Sequence, residues 1–284
     1  GDGYLDILGC DSNGRVVSFL LDGQWTPYDP SSLHSLLPNP VDGGVSGTVL
    51  SAVKVDGDVN PDLILGTSSG LHVVWGNGNG SFTDEGLTIG LGYAPAKVLS
   101  TDFNNDGHLD LVVTAASISK VDVLLGDGQG GFNLSFSYST YQLFLIAAGD
   151  INSDGKEDLV INNKIFVGDG NGGFTPVAQI SVPVGRSVQA VGIADFNADG
   201  HPDVVLALDK DGVILALGDG SGGFTAQDAY GIGIGSLTDL KVADFNGDGK
   251  PDVAVSGWLA GAYIFTNTGG IINSPIANIN DTPT

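Results

Sequence analysis

Oxygen donors recur in this chain at a spacing that suits a hard cation. Asp102 opens DFNNDGHLD, Asp150 opens DINSDGKED, Asp195 opens DFNADGHPD and Asp244 opens DFNGDGKPD. Each unit reads Asp-x-Asn-x-Asp-Gly-x-x-Asp. When the chain turns sharply, side-chain oxygens at positions 1, 3 and 5 converge, and Gly at position 6 permits the positive φ that such a turn requires. A carbonyl at position 7 and the Asp at position 9 complete a shell of hard oxygens. So many protein oxygens suit calcium better than magnesium, which demands near-octahedral geometry and gives up its waters reluctantly. About four calcium ions are expected. A solvated Asp-rich turn is the plainer alternative, and four full copies weigh against it.

Two degenerate copies extend the series. GDGYLD opens the chain with Asp2 and Asp6, and KVDGDVNPD runs from Lys54 to Asp62. The second puts Lys54 at position 1, keeps Asp56, Asp58 and Asp62 at positions 3, 5 and 9, and replaces the turn glycine by Val59. The Lys54 ammonium is expected among the three carboxylates, in place of the cation. The alternative is a decayed turn with Lys54 in solvent.

The elements that must hold these loops follow from their spacing. Position 5 falls at Asp2, Asp58, Asp106, Asp154, Asp199 and Asp248, at intervals of 45 to 56 residues. Between the acidic units lies a second signature: GNGNGSF ending at Phe82, GDGQGGF at Phe132, GDGNGGF at Phe174 and GDGSGGF at Phe224, with cruder copies at Trp25 and Ile271. In the fifth repeat, VQAVGIAD reads as a strand, the acidic unit as a turn, PDVVLAL and GVILAL as two more strands, GDGSGGF as a hairpin loop and FTAQDAY as a fourth strand. Four short strands rich in β-branched residues, recurring at this period, predict a β-propeller blade. No stretch keeps a 3.6-residue period, so helix should be nearly absent. The expected architecture is all-β: one propeller domain over residues 1–284, with about six four-stranded blades at roughly 1–47, 48–95, 96–142, 143–187, 188–236 and 237–284. The first blade would lack its innermost strand, which leaves room for a seventh blade upstream. GGIINSPIANI near the C-terminus would supply the last fourth strand.

Composition narrows the function. The formal charge is −23, and of 33 acidic residues only Glu85 and Glu157 are Glu. A bias towards the shorter acid points to tight turns and cation loops. Nucleic acid is a poor partner for this charge. No apolar run is long enough to span a membrane as a helix, so membrane insertion is not expected. Met is absent and no signal pattern opens the chain, so the sequence reads as a processed or excised piece, and a signal peptide, if there was one, would lie upstream. The lone Cys10 rules out an internal disulfide and reads as a small buried hydrophobe.

The four units and their strand context resemble FG-GAP or VCBS repeats, the family that includes the N-terminal propeller of integrin α subunits. The resemblance covers nearly the whole chain and implies a calcium in the turn between the first and second strands of a blade. Carried onto this sequence, it implies ligands from Asp102, Asn104, Asp106, the His108 carbonyl and Asp110. The next set is Asp150, Asn152, Asp154, the Lys156 carbonyl and Asp158. Then come Asp195, Asn197, Asp199, the His201 carbonyl and Asp203, and finally Asp244, Asn246, Asp248, the Lys250 carbonyl and Asp252. The imidazoles of His108 and His201 would be bystanders.

Other signals are weaker. GDGQGGF looks like a dinucleotide loop but precedes a strand and carries Asp where phosphate would sit. Asn79, Asn133 and Asn280 open glycosylation sequons. On a propeller the acidic turns and glycine hairpins share one face. The opposite face carries the more variable connections, with Tyr28, Tyr93, Tyr141, Arg186, Tyr230 and Trp258. Tyr93, Tyr141, Arg186, Tyr230 and Trp258 are candidate contacts for a sugar or a protein loop, and rim packing is the alternative for each. Three functions stand: a secreted, calcium-stabilised binding module for adhesion or for glycan or protein recognition, lectin-like or integrin-like; a propeller-based polysaccharide-active enzyme; or a structural segment of a larger surface protein. The few His and Arg make a catalytic constellation hard to assemble, so the binding module leads. Its location would be extracellular or at the cell surface.

Overall fold

The computed structural model describes residues 7–10, 16–19, 34–35, 48–78, 82–83, 87–115, 117–139, 145–209, 212–227, 237–257 and 261–270. Every regular element among them is a β-strand. The strands form six antiparallel sheets in sequence order. The first holds β1 (Ile7–Cys10), β2 (Val16–Phe19) and β3 (His34–Ser35). The second holds β4 (Thr48–Val53), β5 (Asp62–Gly66), β6 (Gly70–Gly76) and β7 (Phe82–Thr83), with β8 (Thr88–Gly90) also paired on β6. The third holds β9 (Lys97–Thr101), β10 (Asp110–Ala115), β11 (Lys120–Gly126) and β12 (Phe132–Ser139). The fourth holds β13 (Ile146–Gly149), β14 (Asp158–Ile161), β15 (Lys164–Gly168) and β16 (Phe174–Gln179). The fifth holds β17 (Val188–Ala194), β18 (Asp203–Leu208), β19 (Val213–Gly218) and β20 (Phe224–Ala226). The sixth holds β21 (Leu237–Ala243), β22 (Asp252–Gly257) and β23 (Gly261–Phe265). The fourth strand expected from GGIINSPIANI lies outside the described residues.

One register places the five acidic units that lie among the described residues; GDGYLD lies outside them. The ninth residue opens the second strand of its sheet and pairs with the residue just before position 1: Asp62 with Val53, Asp110 with Thr101, Asp158 with Gly149, Asp203 with Ala194 and Asp252 with Ala243. The eight residues between therefore close a hairpin. The second strands read DLILG, DLVVTA, DLVI and DVVLAL and are buried throughout. Each such Leu, Ile or Val contributes about 2 kcal/mol by leaving water. The long fourth strand β12 lies at the sheet edge and is largely exposed.

The chain divides into two compact units, Gly1–Asp102 with Asp106–Gln142, and Phe103–Asn105 with Leu143–Thr284. In the first, Val55, Ile64, Leu71, Val73, Leu111 and Leu124 form a core between sheets two and three. In the second, one core gathers Ile151, Val160, Ile165, Val204 and Leu206, and another gathers Phe196, Val205, Leu215, Leu237 and Phe265. First strands of successive sheets touch within this unit, β13 with β17 and β17 with β21.

Candidate metal centre

Four loops of the same build join first to second strands. In each, the position 1 carboxylate spans the turn and accepts backbone N–H bonds from positions 5 and 6. Asp102 takes Asp106 N and Gly107 N at 3.2 and 2.8 Å, and Asp150 takes Asp154 N and Gly155 N at 3.0 and 2.8 Å. Asp195 takes Asp199 N and Gly200 N at 3.2 and 2.9 Å, and Asp244 takes Asp248 N and Gly249 N at 3.1 and 2.8 Å. The position 5 carboxylate accepts the position 7 N–H at 2.8 to 3.0 Å in all four. Asn152, Asn197 and Asn246 accept from the position 5 N–H and donate their amide to the position 5 carboxylate. The His201 N–H, with the Asn197 amide, holds Asp199 below the usual carboxylate range, and the Gly249 N–H leads in doing the same for Asp244.

The turn needs two left-handed residues, one more than the motif announces. Position 6 is glycine at φ 81–86°. Position 4 is also left-handed: Asn105 at 58°, Ser153 at 60°, Ala198 at 60° and Gly247 at 79°. Asn and Gly adopt this readily, whereas Ala198 stores about 1 kcal/mol of strain. The only sequence hint was Gly and Asn among the four residues at this place.

The degenerate loop differs. Gly57 keeps the left-handed position 4 at φ 79°, but Val59 is not left-handed and lies 81% exposed. Asp56 accepts Asp58 N at 3.0 Å, and Asp58 accepts Asn60 N at 2.6 Å. The expected placement of Lys54 among the carboxylates is not found: Lys54 is exposed and forms no ion pair with Asp56, Asp58 or Asp62. A solvated ammonium gains too little from an exposed pair, at most about 1 kcal/mol, to hold its long side chain down.

The ninth-position aspartates are set apart from the rest. Asp62, Asp110, Asp158, Asp203 and Asp252 are all 0% exposed. One oxygen accepts the position 2 N–H (Val55, Ile151, Phe196 and Phe245 at 2.8–3.0 Å). The other accepts an amide at the end of the third strand or just beyond it: Gly76, Gly126, Gly168, Gly218 and Asn267 at 2.8–3.0 Å. Burial pushes the carboxyls of Asp62, Asp158 and Asp203 up, against these hydrogen bonds. Among the described residues no three His, Cys, Asp or Glu side chains gather into a metal cage. Positions 1, 3 and 5 nevertheless fit a hard cation. They are oxygen donors on one turn, fixed by backbone N–H groups, and a carboxylate offers about four lone-pair sites, so even Asp244, with three accepted bonds, keeps one for a metal.

The FG-GAP-like repeat family matches residues 54–113, 102–161, 162–206 and 195–255, well over half of the chain. The chain belongs to the FG-GAP-like repeat family. Its fold is the β-propeller and its sheets are the blades. Solved structures agree on the fold. A lectin from Agrocybe aegerita with specific recognition of non-reducing terminal N-acetylglucosamine matches with a TM-score of 0.69 at 20% identity, over 98% of this chain and 80% of its own. BBS1N, in its complex with ARL6DN, matches with a TM-score of 0.59 at 11% identity, over 97% of this chain and 76% of its own. The V. cholerae biofilm matrix protein Bap1 gives 0.50 at 19% identity, over 83% of this chain and 40% of its own. No curated protein matches the sequence.

In these FG-GAP-like blades the position 7 side chain lies over the hairpin glycine. A methyl group on Gly128 would come 2.2 Å from His108 Nδ1, and one on Gly220 would come 2.3 Å from His201 Nδ1. On Gly170 it would come 3.1 Å from the Lys156 stem. The hairpin glycines are thus chosen for this neighbour as well as for their positive φ.

Of the candidate ligand residues, Tyr141, Tyr230 and Trp258, like Tyr28, lie outside the described residues. Tyr93 belongs to the first unit and is 5% exposed. Its hydroxyl donates to Asp122 at 2.6 Å, where Lys120 Nζ and Ser137 Oγ also donate, and Lys120 sits 5.2 Å above its ring. Burial, then the Asp122 bond, pushes the phenol up. Such a ring packs inward, and a ligand would meet little of it. Arg186 belongs to the second unit, is half-buried, and donates its backbone N–H to Pro183 in a turn.

Proposed function

We propose that this FG-GAP-like propeller is a calcium-stabilised, secreted or cell-surface module that binds a glycan or protein ligand on the face opposite its acidic loops. The observation that carries the calcium part is the fourfold repetition of one loop geometry. Asp102, Asp150, Asp195 and Asp244 each hold their turn through the backbone N–H groups of positions 5 and 6. Asn and Asp at positions 3 and 5 would stand beside them as oxygen donors. Bound calcium would supply positive charge among these carboxylates. Four divalent ions add eight charges and would bring the formal charge from −23 to −15. High extracellular calcium favours such loops outside the cell. The likeness to a glycan-binding lectin supports a sugar ligand for the variable connections.

A glycan array, run with a sugar-release assay on every bound glycan, tests the binding part. Retention without release is expected. Trp258→Ala or Tyr230→Ala should weaken it while leaving calcium content unchanged. Loss of binding only on mutation of the acidic face would contradict the assignment of faces, and sugar release would make the protein an enzyme.

A further inference from the structure

We infer that the ninth-position aspartates are joints between blades, and that this role does not depend on metal. Two junctions show the complete arrangement. In the first unit, Gly76 N donates to Asp62 Oδ1 at 3.0 Å, and Val55 N donates to Asp62 Oδ2 at 3.0 Å. The carbonyl of the same Val55 accepts Gly130 N, in the hairpin of the next blade, at 3.0 Å. In the second unit, Asp203 takes Gly218 N and Phe196 N at 2.8 Å each. The Phe196 carbonyl takes Gly270 N at 2.8 Å and Asn267 Nδ2 at 2.7 Å, both from the next blade. The aspartate thus ties its own third strand to the position 2 residue, and that residue's carbonyl receives the following hairpin. Hairpin, aspartate, peptide and next hairpin form one seam.

Close packing makes the seam specific. A methyl group on Gly130 would come 2.0 Å from Trp75 Cη2, and one on Gly270 would come 2.8 Å from Asn197 Cβ. Where a hairpin covers it, the position 2 side chain is buried: Val55 is 3% exposed and Phe196 is 1%. A carboxylate suits this task because both of its oxygens accept. An asparagine of the same shape would aim an NH2 group at a backbone N–H. The second blade separates the seam from the metal: Lys54 and Val59 spoil its acidic loop, yet Asp62 keeps both bonds.

Asp62→Asn in the full chain is the test, with Asp58→Asn in the same loop as control. Amide exchange is read by NMR and calcium content by titration. Asp62→Asn should speed exchange at Gly76 and across the junction at Gly130 by about tenfold or more, with calcium content unchanged. Asp58→Asn should alter neither amide. Wild-type exchange at Gly130 in Asp62→Asn would overturn the inference. Should that variant not fold, the wild type in excess chelator decides, at a temperature where its β-sheet circular dichroism is unchanged: Gly76 and Gly130 must stay protected there, and exchange at the rate of a free loop would overturn it equally. Calcium content failing to reach four would bear on the proposed function and leave the seam intact.

Discussion

The loop of the second blade and the loop of the fifth diverge in one half and agree in the other. From Asp195 to Asp199 the fifth-blade loop closes through a first-position carboxylate that holds two amides of its own turn. From Lys54 to Asp58 the second-blade loop has no such residue, and its turn closes through Asp56 and Asp58 alone. Yet Asp62 and Asp203 have the same register, the same burial and the same pair of backbone donors. The acidic unit therefore contains two devices on one stretch of chain. Its first five positions form the loop proposed to hold a cation, and one blade lacks that loop's first carboxylate without losing its strands. Its ninth position is a structural joint that this blade retains.

The largest test of that division removes the metal. At calcium a hundredfold above its dissociation constant, each site contributes about 2.7 kcal/mol. Excess chelator should therefore lower the melting temperature by roughly 20 °C for four sites in a chain of this size. An unchanged melting curve would show that the complete loops are no more metal-dependent than the degenerate one. Next in size is damage to the joint. Gly130→Ala and Gly270→Ala add a methyl group at positive φ against Trp75 and Asn197, and each should cost about 2–4 kcal/mol in chemical denaturation. Gly107→Ala, where nothing lies within 4 Å, should cost only about 1–2 kcal/mol from backbone strain. If all three cost the same, the hairpin contacts are not what makes these glycines necessary.

Converting one loop into the other is a finer test. Lys54→Asp alone should add no calcium site, because β-branched Val59 resists the left-handed turn. Lys54→Asp with Val59→Gly should add one. Equal ion counts for wild type and double mutant would mean the second loop has lost more than these two residues. The smallest effect is at position 4. Ala198→Gly should stabilise the protein by up to about 1 kcal/mol by relieving strain at φ 60°. Destabilisation would show that the strain there is negligible.

Much of this was legible in the sequence. The period of the acidic units and the β-branched runs around them specify strands, turns and blades, because four short apolar runs between glycine-bearing turns, repeated at one spacing, leave few other solutions. The position of every second strand follows from its Asp at position 9. Three features were not legible. The left-handed position 4 carries Asn, Ser, Ala or Gly, a set too mixed to betray its φ. The inward turn of the ninth aspartate depends on amides 10 to 16 residues further along the chain, which no local pattern reveals. Tyr93 looks like a rim aromatic until its hydroxyl is seen bonded to Asp122, 29 residues on.

Calorimetric titration of chelator-treated protein with calcium tests the central claim most directly. Four ions per chain are predicted, one for each loop opened by Asp102, Asp150, Asp195 and Asp244, with none taken by the loop at Lys54. No binding would contradict the account outright. A fifth ion, lost again on Asp56→Ala, would contradict the division between cation loop and joint on which it rests.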